Sequence, residues 1–284
     1  MSLNAIYTPL RYPGGKAKFA SFLTDLLKYN DLVGGHYIEP YAGGAGVALD
    51  LLFNGYVEHI HINDIDPAIY YFWIAITKKT KVFLDLLEST PITMEQWYKW
   101  RSVLKGNVKA TLLEKGFATL FMNRTNMSGI LNAGVIGGKE QNGDYKLDAR
   151  FNKDSLIKRI EKISEYKKQI TIYNEDALLL LNSCKKNVPK NTLVYLDPPY
   201  YIKGQKLYRN FYEHKDHLAI SKILKSKSFK LPWIISYDNV PQICNMYSKE
   251  KKISYQLRYS VKQKRLGEEV AFVSSNLAYP QRKE

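Results

Sequence analysis

Cysteine is nearly absent from this chain. Cys184 and Cys244 are the two present, and no C-x-x-C spacing occurs. That excludes a disulfide framework, argues against a zinc site and fits a reducing cytoplasm. Long apolar runs are missing as well, and nothing approaches the roughly 20 residues of a membrane span. Met1 to Leu10 holds no charged segment leading into an apolar one, so no secretory leader is expected. No G-K-[ST] occurs, which removes the usual triphosphate loop. Acidic residues are also scarce: 27 Asp+Glu face 42 Lys+Arg, for a formal charge of +15 and an isoelectric point of about 9.5. Such a balance points to a polyanionic partner, unless it reflects a generally lysine-rich proteome.

What is present is ordinary globular material with one excess. The 284 residues are 45% hydrophobic and 24% charged, which excludes a disordered or collagen-like chain. The excess is tyrosine, at 22, with many among basic residues, where rings can stack on bases while cations hold phosphates. Residues 16–28 place Phe19, Phe22, Leu23, Leu26 and Leu27 on one helical face. HYIEP at 36–40 reads as a strand, followed by a glycine turn that opens a helix stopped by Gly55. HIHIND at 59–64 reads as the next strand. Strand, glycine loop, helix and strand form the opening unit of a doubly wound, Rossmann-like α/β sheet. From about 68 to 166 the pattern becomes helical, with a polar, glycine-rich stretch of loops and perhaps a hairpin from Ser128 to Asp148. Strands return at 169–176, 191–197 and 232–238, and 253–260 with 268–276 reads as a closing hairpin. The expected organisation is a catalytic domain from 1–67 and 168–284, interrupted by a mainly helical insertion at 68–167.

Ligands bind at the carboxyl ends of strands in such sheets. Carboxylates stand at the ends of expected strands, and the candidates among them are Glu39, Asp64, Asp176 and Asp197. Any one of them has a second reading as a helix cap. After Glu39 comes Pro40-Tyr41-Ala42-Gly43-Gly44-Ala45-Gly46, and Leu49 stands where a dinucleotide loop needs its third glycine. A turn that admits a ligand closely, followed about 20 residues later by an acid suited to ribose hydroxyls, points to S-adenosyl-L-methionine rather than NAD. The sharpest signal is Asp197-Pro198-Pro199-Tyr200. Two prolines fix two φ angles and remove two donors, so a rigid turn projects the Asp197 carboxylate and the Pro198 carbonyl together. Those acceptors suit the two hydrogens of an exocyclic amine, and the Tyr200 ring suits the face of its base. Acceptors on that amine favour a tetrahedral nitrogen and stabilise the positive charge that develops as it attacks a methyl group. Neither cysteine has the setting for a covalent attack on cytosine. His59 and His61 share one side of a strand and read as packing residues, and no metal is expected.

These residues resemble the Dam-like, D12-class family of DNA adenine-N6 methyltransferases, in its alpha-type motif order. The resemblance covers nearly the whole chain. It rests on Arg11-Tyr12-Pro13-Gly14-Gly15-Lys16, the Glu39 to Gly46 loop, Asn63-Asp64, Asn123-Arg124 through Gly129, and the Asp197 to Tyr200 tetrapeptide. It implies that Tyr12, Gly14, Gly15 and Lys16 lie along the cofactor. Glu39, Pro40, Tyr41, Gly43 and Gly44 would surround its methionine end, and Asp64 would hold its ribose. Asp176 would face its adenine, and Asp197 would stand beside the methyl donor. Asp197, Pro198, Pro199 and Tyr200 would form the catalytic turn. Arg11 and Arg124 would contact double-stranded DNA, with Asn126, Met127, Ser128 and Asn132 in the recognition stretch. It further implies a monomer, active in the cytoplasm of a bacterium or of a phage's host.

Two departures stand out. Ala45 occupies a position where relatives often carry a loop glycine. Dam enzymes that read GATC have an aromatic residue at Met127 and an arginine at Asn132, so GATC is not expected here. Met127 still suits a wedge between bases, but a guanine contact worth about 1–3 kcal/mol is missing. After the tetrapeptide, Tyr201 to His217 carries Lys203, Lys206, Tyr208, Arg209 and Tyr212. This basic, aromatic stretch reads either as a clamp on phosphates and the extruded base or as a solvated loop. Transfer to cytosine N4, adenine methylation of RNA, and a catalytically silent DNA-binding relative stay open on the residues alone.

Overall fold

The computed structural model describes residues 7–11, 17–202, 212–258 and 266–278. Seven strands form one sheet: β1 (Gly35–Glu39), β2 (Val57–Asn63), β3 (Ile170–Tyr173), β4 (Thr192–Leu196), β5 (Trp233–Asp238), β6 (Lys251–Arg258) and β7 (Leu266–Val273). Their order is β3-β2-β1-β4-β5-β7-β6. The first five pair in parallel, and β7 runs antiparallel between β5 and β6. The order reverses between β1 and β4, so the crevice beyond their carboxyl ends is the natural ligand position.

Alternation along the buried strands assigns the two faces. Tyr37, Leu193, Tyr195, Ile234 and Ala271 point into one apolar cluster, where α1 (Ala17–Tyr29) and α2 (Gly46–Phe53) pack. Their neighbours Ile38, Val194, Leu196, Ile235 and Phe272 point into the other, against α8 (Ala177–Asn187), α9 (His214–Leu224) and α10 (Pro241–Met246). Between β2 and β3 run α3 (Pro67–Lys78), α4 (Thr80–Ser89), α5 (Met94–Leu104), α6 (Leu112–Thr125) and α7 (Lys153–Glu165). Phe72, Trp73, Phe83, Trp97 and Phe117 from these helices join the same buried cluster as the first sheet face.

Local chemistry sets the helix ends. Asp66 caps α3 by accepting from the Ala68 N–H at 2.9 Å, with Pro67 in the first turn, where a missing donor costs nothing. Thr111 and Glu114 form a reciprocal capping box on α6. Gly116 lets α6 lie directly on α3, since a Cβ there would sit 2.6 Å from both the Tyr71 carbonyl oxygen and the Ala75 Cβ. The stretch from Ser128 to Asp148 is turn-rich. Its pairing within the described residues is a single antiparallel bridge between Asn126 and Val135. Strand β3 is shorter than the sequence pattern suggests. It stops at Tyr173, and Asp176 lies beyond it as the N-cap of α8, accepting from the Leu178 N–H at 2.8 Å. No described helix is long and apolar enough to cross a membrane.

Candidate active site

The carboxyl ends of β1, β2 and β3 are laced together by one side chain. The buried Asn63 amide donates to the Pro40 carbonyl at 2.9 Å and to the Glu175 carbonyl at 3.0 Å, and its oxygen accepts from the Glu175 N–H at 2.9 Å. The Ala42 N–H returns to the Asn63 carbonyl at 2.8 Å. Glu39, at the end of β1, is buried and accepts from the Tyr37 hydroxyl at 2.9 Å. Gly43 and Gly44 follow, both buried in the turn that opens α2. The indole N–H of Trp73 holds the Gly43 carbonyl at 2.9 Å. Ala45 sits in the left-handed region, φ 46° and ψ 34°, a conformation that favours glycine.

Asp64 stands at the mouth of this turn. Its carboxylate accepts from the Gly43 N–H at 3.1 Å and the Asp66 N–H at 2.9 Å. Loss of water outweighs these two bonds and pushes its pKa up to about 7. A carboxylate fixed by backbone donors beside a close-approach glycine turn suits the paired hydroxyls of a ribose. Behind it, Tyr70, Trp73, Ile172 and Tyr173 pack closely around the end of the strand.

The Asp197-Pro198-Pro199-Tyr200 tetrapeptide leaves β4 next to this loop. Asp197 follows the last residue of the strand and accepts from the Ser236 hydroxyl at 2.8 Å. Ser236 is in turn 3.0 Å from the Tyr195 hydroxyl. Pro198 is buried, while Pro199 and Tyr200 are half-buried. The Tyr200 hydroxyl donates to the Glu269 carboxylate at 2.5 Å. Asp238 accepts from the backbone N–H of Tyr201 at 2.9 Å and of Ile202 at 3.2 Å. Behind the turn, Tyr41 donates to Tyr212 at 3.0 Å, and His217 Nδ1 lies 3.0 Å from the Tyr237 hydroxyl. Burial lowers the His217 pKa to about 4, so its ring is neutral near pH 7. The Cys184 thiol is pushed the other way, up to about 11, also by burial, and is poorly suited to be a nucleophile.

A second arrangement lies where the insertion meets the N-terminal segment. The Asn123 side chain accepts from the Arg11 N–H at 2.7 Å and donates to the Arg11 carbonyl at 2.9 Å and the Gly129 carbonyl at 2.7 Å. Arg11 donates through Nη1 to the Asn126 carbonyl at 3.2 Å. Arg124 turns inward and grips the Pro9 carbonyl through Nε and Nη2, while Arg159 holds the Thr8 carbonyl at 2.9 Å. Burial, with Arg159 and Arg11 nearby, lowers the Arg124 pKa to about 9. Asn126 is fully buried. Its amide oxygen accepts from the Trp97 indole at 2.8 Å, and its nitrogen donates to the Ile130 and Leu131 carbonyls. Gly129, at φ +76°, passes so close to Arg11 that a Cβ would meet the Arg11 carbonyl oxygen at 2.6 Å. What this framework presents outward is Met127, which is 54% exposed, with Ser128 and Asn132.

The structure thus brings Glu39, Pro40, Tyr41, Gly43, Gly44, Asp64 and the Asp197 to Tyr200 turn to one end of the sheet. Asp176 caps a helix at that same end. Tyr12, Gly14, Gly15, Lys16, Lys203, Lys206 and Arg209 lie outside the described residues. The sequence reading placed Asp238 at the end of a strand but gave no site role to Ser236, Asp238 or Glu269. The visible signal was a polar residue breaking a buried apolar strand, as Ser236 does within WIISYD. A buried hydroxyl there requires a partner. Among the described residues, no group of three or more His, Cys, Asp or Glu is placed to hold a metal ion.

Solved structures that this chain is similar to include a putative RNA methyltransferase from Pyrococcus horikoshii, at 10% identity over 95% of this chain and 86% of that one, TM-score 0.43. TrmK of M. capricolum, in complex with S-adenosyl-homocysteine, is 9% identical over 91% and 70% of the two chains, TM-score 0.37. Protein LPL1258 from Legionella pneumophila is 15% identical over 92% and 86%, TM-score 0.34. No curated protein gives a significant sequence match. The family model for D12 class N6 adenine-specific DNA methyltransferases matches residues 12–261.

Proposed function

Since the chain belongs to the D12 class of N6 adenine-specific DNA methyltransferases, enzymes dependent on S-adenosylmethionine, we propose that it methylates adenine in double-stranded DNA by extruding the base and transferring the methyl group directly. The observation that carries this reading is the braced Asp197-Pro198-Pro199-Tyr200 turn beside the Asp64 and Gly43 loop at the strand-order reversal.

S-adenosyl-L-methionine supplies a methyl group on a positively charged sulfur. The residues of this chain do the rest. Asp64 accepts from the cofactor's ribose, and the turn from Glu39 to Gly44 flanks its methionine end. Tyr12, Gly14, Gly15 and Lys16 complete that side, and Asp176 contributes near its adenine. The Asp197 carboxylate and the Pro198 carbonyl accept the two hydrogens of the target amine. That draws the nitrogen lone pair out of the ring and stabilises the positive charge forming on it. Tyr200 stacks on the extruded base. No covalent enzyme intermediate is involved.

The helical insertion, residues 68–167, is the target-recognition unit. Its exposed loop tip gives Met127 as a wedge and Ser128 and Asn132 as base or phosphate contacts. Arg124 and Asn126 act indirectly, by shaping that loop. Arg11, Lys203, Lys206 and Arg209 meet phosphates, and the enzyme works as a monomer.

The test is incubation with S-adenosyl-L-methionine and unmethylated mixed-sequence duplex, followed by nucleoside mass spectrometry. N6-methyladenine is expected, absent with Asp197→Ala. Methylcytosine, or substantial turnover by a folded Asp197→Ala variant, overturns the reading. If the protein methylates RNA and leaves duplex DNA unmodified, the substrate assignment fails.

A further inference from the structure

Glu269 has no place in the chemistry described so far, yet it is among the most buried charged residues of those described, at 2% exposure. A carboxylate set into a strand costs stability unless its oxygens are well partnered, and an apolar residue of similar size would serve the sheet better. Its position suggests a use. Glu269 on β7 pairs in register with Asp238 on β5, so the two carboxylates stand side by side on neighbouring antiparallel strands. Each reaches the same turn. Asp238 accepts from the N–H groups of Tyr201 and Ile202, which fixes the backbone just after Tyr200. Glu269 accepts from the Tyr200 hydroxyl, which fixes the far end of the ring. On the other arm, Ser236 holds Asp197.

We infer that Glu269 is a positioning residue for methyl transfer, one that sets the plane of the Tyr200 ring against the target base. This rests on the reading that Tyr200 stacks on an extruded adenine. The χ2 torsion of a tyrosine is a broad, two-fold well, so packing at the backbone end alone leaves the ring plane loosely defined. A phenolic O–H prefers to lie in the plane of its ring, and an acceptor fixed at the hydroxyl therefore fixes that plane. With Asp238 at one end and Glu269 at the other, the ring is held before the base arrives. Small misplacement of a group that orients a reactant is costly in rate. The brace also gives the tyrosine hydroxyl a function, since stacking by itself needs only the ring.

The experiment compares Glu269→Ala, Tyr200→Phe, the double variant and Glu269→Gln in single-turnover and steady-state methylation of duplex DNA. Glu269→Ala and Tyr200→Phe are each expected to lower kcat by about tenfold, with KM for DNA and cofactor within about twofold of wild type. The double variant should be no slower than either single one, because both remove the same bond. Glu269→Gln keeps an acceptor and should recover most of the rate. Multiplying effects in the double variant, a change confined to KM, or no recovery with glutamine overturns the inference. If Glu269→Ala does not fold, Tyr200→Phe decides the matter, and a wild-type rate refutes it. Fluorotyrosine placed at position 200 gives a second readout that needs no turnover. Its 19F resonance should be distinct in the wild-type protein and shift to the value of a freely rotating ring in Glu269→Ala, and an unchanged resonance overturns the inference. A wild-type protein silent on duplex DNA would count against the function proposed above, whereas the resonance test would still judge the brace.

Discussion

A carboxylate held at the mouth of a turn and stripped of part of its water, as Asp64 is, ionises late, near pH 7. If Asp64 holds the cofactor's ribose as proposed, its ionised form is the stronger acceptor for the hydroxyls. Cofactor affinity is therefore expected to rise as pH climbs through about 7, and to fall below that by up to about tenfold per unit. The stability of the ligand-free protein should move the other way. A carboxylate whose pKa is raised on folding holds its proton more tightly when folded, so stability declines from about pH 4, its unfolded value, to about pH 7. Titration calorimetry with S-adenosylhomocysteine across that range checks the first effect, thermal melts check the second, and Asp64→Asn should flatten both. Ala45 carries a different kind of strain. Its left-handed backbone costs about 1–2 kcal/mol, which glycine relieves, while losing the buried methyl costs about 0.8 kcal/mol. Ala45→Gly is thus expected within about 1 kcal/mol of wild type. Ala48→Gly, three residues on and inside α2, gains no such relief. It should cost about 2 kcal/mol, from helix propensity and the lost methyl together. Chemical denaturation of the two variants separates these cases, and equal losses would refute the argument.

Among the elements, the contact of α3 with α6 shows how a single missing side chain shapes the insertion. Alanine is better than glycine in an exposed helix by about 1 kcal/mol. At Gly116 the added Cβ would press on the Tyr71 backbone at 2.6 Å, and a helix backbone does not yield cheaply. Overpacking of this kind costs about 1–3 kcal/mol, so Gly116→Ala should destabilise the protein despite its better propensity. A stabilised variant in denaturant melts would show that the helices separate freely. The same scale explains what could be read from the sequence. Strand periodicity and terminal carboxylates marked β1, β2, β4 and β5, because those signals are local. The bracing role was silent, even for Asp238 at the end of β5, because Ser236, Asp238 and Glu269 gain meaning only once β5 lies between β4 and β7. Arg124 and Asn126 were legible as residues of a recognition stretch. Their inward orientation was not, since it depends on Pro9 and Trp97 arriving from elsewhere in the chain. Ala45 was visible as a departure in the loop, but its left-handed backbone appears only in three dimensions.

At the scale of the whole molecule, the formal charge is +15. Ion pairs among the described residues include Lys162 with Glu165 and Lys215 with Glu213, both solvent-facing, while Arg11, Arg124 and Arg159 donate to backbone carbonyls rather than carboxylates. A chain this basic displaces the counterions of a duplex when its exposed cations meet phosphates. The logarithm of DNA affinity should then fall linearly with the logarithm of salt, with a slope of about −0.9 per phosphate contact on duplex and about −0.7 on a single strand. For about six contacts, affinity drops roughly a thousandfold between 50 and 200 mM salt. Lys203 and Lys206 lie within six residues of Tyr200 in sequence, and both are proposed phosphate contacts. Changing both to alanine should make the duplex slope shallower by about two contacts' worth. Met127→Ala removes an apolar wedge and no charge. It should leave the slope unchanged while reducing the fluorescence of a 2-aminopurine placed at the target position, because fewer bases leave the stack. Anisotropy titrations over a salt series measure the slopes. If the two lysine changes leave the slope intact, the stretch after Tyr201 is solvated loop, and the phosphates beside the target base are held from the side of the insertion instead.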